Sequence, residues 1–314
     1  MFSVKFDVQR SLTIKKPVER VFATVADFKT WRNWSPWLCQ EPGCPVDIEG
    51  APGRPGHSQR WDGNQIGSGS MTLNHVEKNQ QLDYDLKFFK PWKSQATAAF
   101  SFREVPEGTR VTWFMEGTVP VFLFFMKKMM IAMISSDYDR GLSMLAELLE
   151  SGTVRSSVEV NTVLDRQPFW YMGQRKNCSL DEVGPSMEAV FCDLQEKTES
   201  GALPEPDFEL SFYHSYDFVR GNCEYTSCHG YHKRPEIPPP AGYVIGEIGP
   251  HRALNVNHTG SYRHLGNAWS ALIGCQRSRK LKPLKTASMY EIYENMPGET
   301  PDKDLKTQLY FPVK

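Results

Sequence analysis

The segment SMYEIYENMPGETP, residues 288–301, sets a carboxylate among aromatic residues. Its alternating pattern predicts a β-strand, in which Glu291 and Tyr293 share one face while Tyr290 and Ile292 share the other. A carboxylate in an aromatic pocket of low dielectric attracts a delocalised cation, and each ring face adds about 0.5–2 kcal/mol of cation–π attraction. Glu291 is therefore a candidate ligand contact, and an exposed position at a sheet edge is the alternative.

The same carboxylate also suits a second kind of chemistry. Burial without a positive partner raises the pKa of a carboxyl group, and we expect this for a partly buried Glu291. A glutamate with a raised pKa can act as a general base, so binding of a cation and activation of water both stay open. The sequence contains no nucleophile elbow, metal-binding motif or phosphate-binding loop, and we expect neither a metal nor a cofactor.

Composition limits the classes of protein to consider. The chain has 314 residues, 40% of them hydrophobic and 23% charged, which predicts about two folded domains. The net charge is −1 and no tract is rich in lysine or arginine, so we expect no direct binding to DNA. The N-terminus lacks the apolar core of a secretory signal, and the seven scattered cysteines indicate reduced thiols, which together predict a cytoplasmic protein.

A possible zinc site lies in the segment CEYTSCHGYH, residues 223–232. Cys223, Cys228, His229 and His232 are ligand types that zinc prefers. The segment alternates like a strand, which puts Cys223 and His229 on one face and the other two on the opposite face. Four ligands divided in this way cannot form a tetrahedron, so we expect a strand and no metal.

The longest apolar stretch, residues 119–134, is interrupted by Lys127 and Lys128. It is shorter than the ~20 residues that span a bilayer, and we expect no membrane partner. The stretch continues into a helical pattern, which predicts a long amphipathic helix packed on a sheet. The apolar residues that recur every three or four positions on its predicted buried face are Met130, Ile134, Tyr138, Leu142, Leu145 and Leu149.

The first half of the chain, residues 1–154, predicts an α+β domain. A strand and a short helix precede a run of hairpin-linked strands, and the long helix closes the unit. The segments IKKPVERVFATVADFKTWRNWSPW and DYDRGLSMLAELLE resemble the START-like superfamily, also called SRPBCC or polyketide cyclase/lipid-transport-like. The resemblance implies a helix-grip fold with a cavity between helix and sheet. The candidate lining residues are Trp34, Trp37, Trp61, Phe89 and Trp92.

The second half, residues 158–314, follows a short linker near residues 151–157. It contains a weak internal repeat, in which each unit reads β-α-β-β. Two such units predict one antiparallel sheet with pseudo-twofold symmetry, both helices on one face and the other face free and concave. We expect Glu291 and Tyr293 on the free face, with Tyr290 against the helices.

The motifs of this half resemble the GyrI-like effector-binding domain of MerR-type and AraC-type regulators. A His–x–Gly–x–Tyr motif precedes the second helix, and a Glu–x–Tyr motif, a proline turn and a T–x–L–x–x–P strand follow it. The residues in those places are His258, Gly260, Tyr262, Glu291, Tyr293, Pro297, Thr307 and Pro312. The resemblance implies that Glu291 lies at the bottom of an aromatic pocket and pairs with cationic ligands, with Tyr293 lining the same face.

The repeat supplies further candidates for the pocket. Aligning the two units puts Tyr213 opposite Tyr293 and Ser211 opposite Glu291, which predicts a pocket that is acidic on one side only. The remaining candidates for its walls are Trp170 or Tyr171, Tyr262, Trp269 and His258. Trp269 also suits an apolar stripe of the second helix, so a purely structural role is the alternative.

Three functions are compatible with these residues. The first is a small-molecule-binding protein for a hydrophobic or cationic aromatic ligand, in regulation, sensing or resistance, without a DNA-binding motif of its own. The second, by resemblance, is a hydrolase that detoxifies a reactive small molecule, such as one bearing a cyclopropane, through Glu291. The third is a gyrase-inhibitor-like module that binds another protein. The sequence predicts neither the ligand nor the oligomeric state.

Overall fold

The computed structural model describes residues 3–314, apart from the side chains of Phe122 and Leu123. The chain divides into a first domain that ends at Arg155 and a second domain formed by Ser156–Lys314. Each domain combines an antiparallel sheet with a few helices. The predicted α+β class is therefore confirmed.

The first domain is built on one sheet of seven strands. Within residues 3–155 its strands are β1 (Ser3–Ile14), β2 (Val46–Glu49), β3 (Ser58–Asp62), β4 (Ser68–Glu77), β5 (Gln81–Lys90), β6 (Ser94–Val105) and β7 (Gly108–Pro120). Its α-helices are α1 (Val18–Val25) and α2 (Lys127–Ser151), and 3₁₀ helices cover Phe28–Asn33 and Val121–Met126. The strands lie in the order β1-β7-β6-β5-β4-β3-β2, and every neighbouring pair is antiparallel.

Helix α1 follows directly from its sequence. Pro17 precedes its first residue with a φ of −58°, a value that the proline ring imposes and that suits entry into a helix. The side chains of Val18, Val21, Phe22 and Val25 are buried, and their spacing is that of one helical face. The predicted helix is confirmed.

Helix α2 packs its predicted face against the sheet. Tyr138 stacks on Trp113 of β7, with ring centroids 4.0 Å apart and planes at 10°. Leu142 and Leu145 are buried. Gly152 ends the helix with a φ of 86°, a left-handed conformation that glycine adopts without strain. Among the described residues, none of the helices combines the length and the hydrophobicity needed to span a bilayer.

The second domain contains a larger sheet. Within residues 156–314 its strands are β8 (Ser156–Arg166), β9 (Phe169–Ser179), β10 (Phe208–Asp217), β11 (Asn222–Tyr231), β12 (Val244–Ile248), β13 (His251–Gly260), β14 (Met289–Tyr293) and β15 (Lys306–Val313). Its α-helices are α3 (Val183–Glu199) and α4 (Leu265–Ser278), and 3₁₀ helices cover Leu180–Glu182, Tyr262–His264 and Asp302–Asp304.

The strand order of this sheet is β12-β9-β11-β10-β14-β15-β13-β8. The first unit of the repeat consists of β8–β11 and the second of β12–β15. When β8 is exchanged with β12, β9 with β13, β10 with β14 and β11 with β15, the same order results, read from the opposite edge. Strands β10 and β14 are the central pair, so the two halves of the domain meet there. Strand β8 pairs with β13 and β12 pairs with β9, so each half provides an edge strand to the other.

The predicted first unit differs from the structure in one element. The sequence predicts a single strand from residue 158 onward. The structure has two strands there, β8 and β9, which are separated by Gln167 and Pro168. Proline has no N–H group for the ladder and therefore interrupts a continuous strand. Each unit is thus β-β-α-β-β and not β-α-β-β.

The segment that contains the possible zinc ligands forms the strand β11, as its alternation predicts. Cys223, Cys228 and His229 are buried, and His232 lies just beyond the strand. Within residues 3–314 the structure brings together no group of three or more histidine, cysteine or acidic side chains that could hold a metal ion.

Candidate functional site

Glu291 lies at the centre of the second sheet, on β14, and its side chain is completely buried, with 0% exposure. Its direct partners on the neighbouring strands are Ser211 of β10 and Leu309 of β15. Residues that pair directly across strands point to the same face. Leu309 packs in one cluster with Leu272 of α4, so Glu291 also points to the face that the helices cover.

The carboxylate accepts hydrogen bonds from three neutral aromatic donors. The hydroxyl of Tyr293 donates to Oε2 over 2.7 Å, and the hydroxyl of Tyr213 donates to the same oxygen over 3.1 Å. The indole Nε1 of Trp269, on α4, donates to Oε1. These four residues form the tyrosine–carboxylate cluster. Within the described residues, none of the ion pairs includes Glu291.

The expectation that Glu291 and Tyr293 lie on a free face is wrong. Trp269 approaches Glu291 from α4, and Phe191 of α3 packs edge-on against Tyr293 with ring centroids 5.4 Å apart. On the opposite face Tyr290 stacks on a neighbouring tyrosine ring, at 4.8 Å, and is buried. Strand alternation predicts which residues share a face, but it contains no information on which face the helices cover.

Burial raises the pKa of Glu291, because the charged form is separated from water. The hydrogen bonds from Tyr293, Trp269 and Tyr213 act in the opposite direction without cancelling the effect of burial. Burial also raises the pKa of Tyr213 and Tyr293, and the charge of Glu291 raises both further. Both hydroxyls therefore keep their protons and act as donors to the carboxylate.

One more predicted residue, Tyr262, completes the aromatic surroundings of this cluster. The ring of Tyr262 lies 5.8 Å from that of Tyr293, and the ring of Trp269 lies 5.0 Å from that of Tyr213. Tyr213 itself pairs with Met289 and reaches Glu291 diagonally across the two central strands. The structure thus brings Glu291, Tyr293, Tyr213, Tyr262 and Trp269 together.

A second carboxylate, which the sequence analysis missed, lies beside the cluster. Glu209 is the direct partner of Tyr293 on β10, so both point to the helix-covered face. Its Oε1 is 3.5 Å from Nε2 of His229, while its Oε2 is buried and has no hydrogen-bond partner. The charges of Glu291 and Glu209 both raise the pKa of Tyr262, after burial as the main cause. The site therefore contains a carboxylate from each unit of the repeat, Glu209 and Glu291, and not from one unit only as predicted.

The missed residue carried a signal in the sequence. Glu209 stands two positions before Ser211, the partner of Glu291, so alternation alone places its side chain on the same face. A buried carboxylate oxygen without a partner costs free energy, about 1–3 kcal/mol or more. Such an oxygen is typical of a site that receives a water molecule or a ligand group.

His258 lies two strands away from Glu291 and does not contact it. Its partner on β15 is Thr307, which in turn pairs with Tyr293. Nε2 of His258 is 3.0 Å from the hydroxyl of Ser156, and burial, with a smaller effect of a neighbouring histidine, lowers its pKa to about 4. At neutral pH His258 is therefore uncharged.

The structure places Trp170 away from the cluster. Its ring lies under the guanidinium group of Arg234, at 5.1 Å, and it packs with the apolar residues beneath α3, such as Val190. The alternative candidate, Tyr171, packs against Phe212 on the opposite face of the sheet, with centroids 4.8 Å apart. Neither residue lines the surroundings of the carboxylate.

The first domain contains a cavity of about 220 Å³ between sheet and helix. Its aromatic lining residues are Trp31, Trp37, Trp61, Phe88, Trp113 and Tyr138. Trp37 and Trp61 were predicted to line it, whereas Trp34 is completely buried in the core around it. The same prediction for Phe89 and Trp92 is wrong, because 37% and 62% of these side chains are exposed.

Two polar side chains, Ser35 and Gln59, interrupt the otherwise apolar wall of this cavity. The side chain of Gln59, on β3, is buried, and its Oε1 has no hydrogen-bond partner. Its amide nitrogen has only a weak contact of 4.0 Å with the sulfur of Met71. Gln59 therefore offers an unpartnered hydrogen-bond acceptor, and the indole Nε1 of Trp113, another lining residue, is an unpartnered donor.

Comparison with known proteins gives one family for each domain. Residues 5–150 match the family described as polyketide cyclase/dehydrase and lipid transport, and residues 162–314 match the GyrI-like small molecule binding domain. A search of curated proteins finds no significant match.

Several solved structures are similar to parts of the chain. The C-terminal domain of EcmrR has 18% identity and a TM-score of 0.41, over 50% of this chain and 98% of that one. The protein MLL2253 from Mesorhizobium loti has 16% identity and a TM-score of 0.37, over 46% and 98%. Aha1 from Colwellia psychrerythraea has 18% identity and a TM-score of 0.36, over 47% and 98%.

The two family matches fall in the two domains of the structure. The chain joins a domain of the polyketide cyclase/dehydrase and lipid transport family to a GyrI-like small molecule binding domain.

Proposed function

We propose that the second domain binds a small organic cation with an aromatic body, and that Glu291 supplies the opposite charge. One observation carries this proposal: the carboxylate of Glu291 is completely buried, yet its partners are three neutral aromatic donors. A buried negative charge without a positive partner is costly, so a ligand cation would recover part of that cost.

The surroundings suit a delocalised cation more than a compact ammonium ion. The rings of Tyr213, Tyr293, Tyr262 and Trp269 lie around the carboxylate, and their faces attract a cation by about 0.5–2 kcal/mol each. A delocalised cation is weakly hydrated and therefore loses little when it leaves water. The second carboxylate, Glu209, adds to the negative potential of the site.

Access to the carboxylate needs movement of a side chain. Trp269 and Tyr262 are half-buried, whereas Glu291 is completely buried. The ligand would reach Glu291 by displacing the Trp269 indole from Oε1, while the two tyrosines keep their hydrogen bonds to Oε2. The carboxylate then exchanges one neutral donor for a charged partner.

A fluorescence titration with cationic and neutral aromatic dyes of similar size tests this proposal. We expect the wild type to prefer the cationic dye, and we expect Glu291→Gln to bind it about tenfold or more weakly, because the opposite charge is lost. Glu299→Gln, an exposed glutamate in the same region, is the matched control and should bind as the wild type does. Equal affinity of the wild type for both dyes, or full binding by Glu291→Gln, would contradict the proposal.

A hydrolase is the second candidate, and the raised pKa of Glu291 favours it. Glu291 would take a proton from water while the water oxygen bonds to a strained carbon of a cyclopropane ring. The ring C–C bond at that carbon breaks, and the carbon that leaves with the electron pair takes up the proton from Glu291. Turnover of an alkylating cyclopropane substrate that is lost in Glu291→Gln supports this function. Absence of turnover over a broad panel of such substrates, with cation binding intact, leaves binding as the function.

The cavity of the first domain is a proposed second site, for an apolar ligand that donates one hydrogen bond to Gln59. We also propose that residues 1–154 and 158–314 act as separate ligand-binding units, of helix-grip and duplicated type. The contact of Tyr138 with Trp113 and the symmetric strand order support these two assignments.

Regulation or resistance in the cytoplasm, without direct DNA binding, is the proposed setting. The seven described cysteines are all free, which supports a reducing compartment.

A further inference from the structure

One end of the first domain exposes an unusual number of large apolar side chains. Trp92, Phe124 and Phe125 are the most exposed of them, at 62%, 64% and 67%. The others are Phe89, Val121, Met126, Met129 and Met133. Single exposed apolar residues are common on protein surfaces, but a group of eight within two short segments indicates an interaction surface.

The two segments lie at the same end of the sheet. Ala96 of β6 pairs with Gly117 of β7, so the turn at residues 91–93, before β6, and the 3₁₀ helix Val121–Met126, after β7, both extend beyond that end. Neighbouring strands are only about 4.8 Å apart. Met129 and Met133 continue the surface along α2, because residues four apart share one side of a helix. We call these residues the apolar end.

The charged side chains of the two segments that form the apolar end are positive. Its lysines are Lys90, Lys93, Lys127 and Lys128, and the segments 86–103 and 117–136 contain no aspartate or glutamate. Lys87 is not counted among them, because it lies beside Asp7, Asp85 and Glu116 on the sheet. This contrasts with the whole chain, whose net charge is −1. Lys90 has one exposed partner, Asp62, at 2.9 Å. Such an exposed pair is weak and leaves the local excess of positive charge in place.

We propose that the apolar end docks on the surface of an anionic lipid bilayer. Trp92, Phe124 and Phe125 enter the head-group region, and the lysines face the lipid phosphates. Exposed aromatic residues beside lysines are typical of segments that lie in a membrane interface. Lysine, in contrast, is depleted in the interfaces between proteins, which disfavours a protein partner or a second copy.

This docking is peripheral and needs no spanning helix, and it differs from the sequence-based expectation of no membrane partner. The cavity of the first domain adjoins the apolar end. Phe88 and Ile134 line the cavity, and their chain neighbours Phe89 and Met133 belong to the apolar end. Docking would therefore bring the cavity close to the lipid, which suits an apolar ligand.

Cosedimentation of the full chain with vesicles tests the proposal. We expect binding to vesicles that contain phosphatidylglycerol, little binding to pure phosphatidylcholine, and weaker binding as salt is raised. Phe124→Ser with Phe125→Ser should weaken binding about tenfold or more. Lys127→Gln should weaken it about fivefold. The matched control, Phe218→Ser at an exposed aromatic position of the second domain, should bind as the wild type does.

Quenching of tryptophan fluorescence by brominated lipids supplies a second readout. We expect quenching in the wild type and its loss in Trp92→Phe, because this residue is the tryptophan of the apolar end. Equal binding to neutral and anionic vesicles would overturn the proposal. Binding that is unchanged by Phe124→Ser with Phe125→Ser would overturn it as well. The proposal would also be overturned if the protein does not bind vesicles but forms a dimer, and if Phe124→Ser dissociates this dimer. The apolar end would then be a contact between two copies of the chain.

Discussion

The hydroxyl of Tyr213 donates a hydrogen bond of 3.1 Å to Oε2 of Glu291, and the bond joins the two halves of the second domain. The two residues are 78 positions apart in the chain and lie on β10 and β14, the central strands of the sheet. Together with Tyr293 and Trp269, Tyr213 holds a buried carboxylate in one orientation.

Binding of a permanently charged aromatic cation should depend on pH. The carboxyl group of Glu291 has a pKa above its usual 4.5, and only its ionised form attracts the cation. Affinity should therefore fall as the pH falls through this raised pKa, with a midpoint above 4.5. Fluorescence titration over a pH series measures the midpoint, and Glu291→Gln should show no such transition. A wild-type affinity that is constant down to pH 4.5 would contradict this prediction.

Removal of one tyrosine hydroxyl should shift that midpoint upward. Tyr293→Phe deletes the 2.7 Å bond to the carboxylate, which favours the ionised form, so the pKa of Glu291 rises further. Tyr213→Phe deletes the longer bond and should have a smaller effect. A hydrogen bond to a charged group contributes about 1.5–3 kcal/mol, so the shift for Tyr293→Phe should be about one pH unit or more.

Tyr310→Phe is the matched control for these two variants. Tyr310 is buried and lies on the opposite face of the sheet, where its hydroxyl donates to Gln308. Its loss can reduce the stability of the domain but should leave the binding midpoint unchanged. An equal shift in Tyr310→Phe would show that the midpoint reports general loosening of the fold and not the carboxylate.

Stability of the fold should also depend on pH through Glu291. The pKa of this group is higher in the folded than in the unfolded chain, so the folded chain binds more protons above pH 4.5. The contribution of Glu291 to the free energy of unfolding is therefore largest below 4.5 and is lost as the pH rises through the folded pKa. Urea unfolding at several pH values measures the decline. Glu291→Gln should show a smaller decline, and Glu299→Gln should follow the wild type.

Gln59→Leu should stabilise the first domain in the absence of a ligand. The carbonyl oxygen of Gln59 is buried in an apolar cavity without a hydrogen-bond partner, which costs about 1–3 kcal/mol. A leucine of similar volume removes this cost and adds apolar contacts. Thermal unfolding measures the gain, and Gln95→Leu, at an exposed position, is the control. A loss of stability in Gln59→Leu would show that the amide makes a bond that the folded domain needs.

Much of the local structure was predictable from sequence. Helical spacing predicted the buried face of α2, and Tyr138, Leu142 and Leu145 are buried as expected. Alternation correctly paired Glu291 with Tyr293 on one face, because the side-chain period of a strand is a local property. The same rule, applied to FELSFY, would also have placed Glu209 beside them.

Other features of the site depend on contacts between distant segments. Trp170 matched the site in residue type, but the strand order puts it beneath α3, beside Arg234. The exchange of the edge strands β8 and β12 between the two halves has no local signature, because strand pairing is set by the whole sheet. Phe89 and Trp92 were candidates for a cavity wall because of their residue type, but their side chains are exposed to solvent at the end of the sheet.

The sequence by itself determined the two domains' α+β class, the family motifs, and the presence of a glutamate and a tyrosine on one strand face. These properties depend on residue type and spacing along a single segment. Only the tertiary structure decided that this face lies under the helices, where Trp269 and Tyr213 reach Glu291 from elements distant in the chain. The physical reason is that burial and the pKa of the carboxyl group depend on which elements pack over it, and packing is a property of the whole domain.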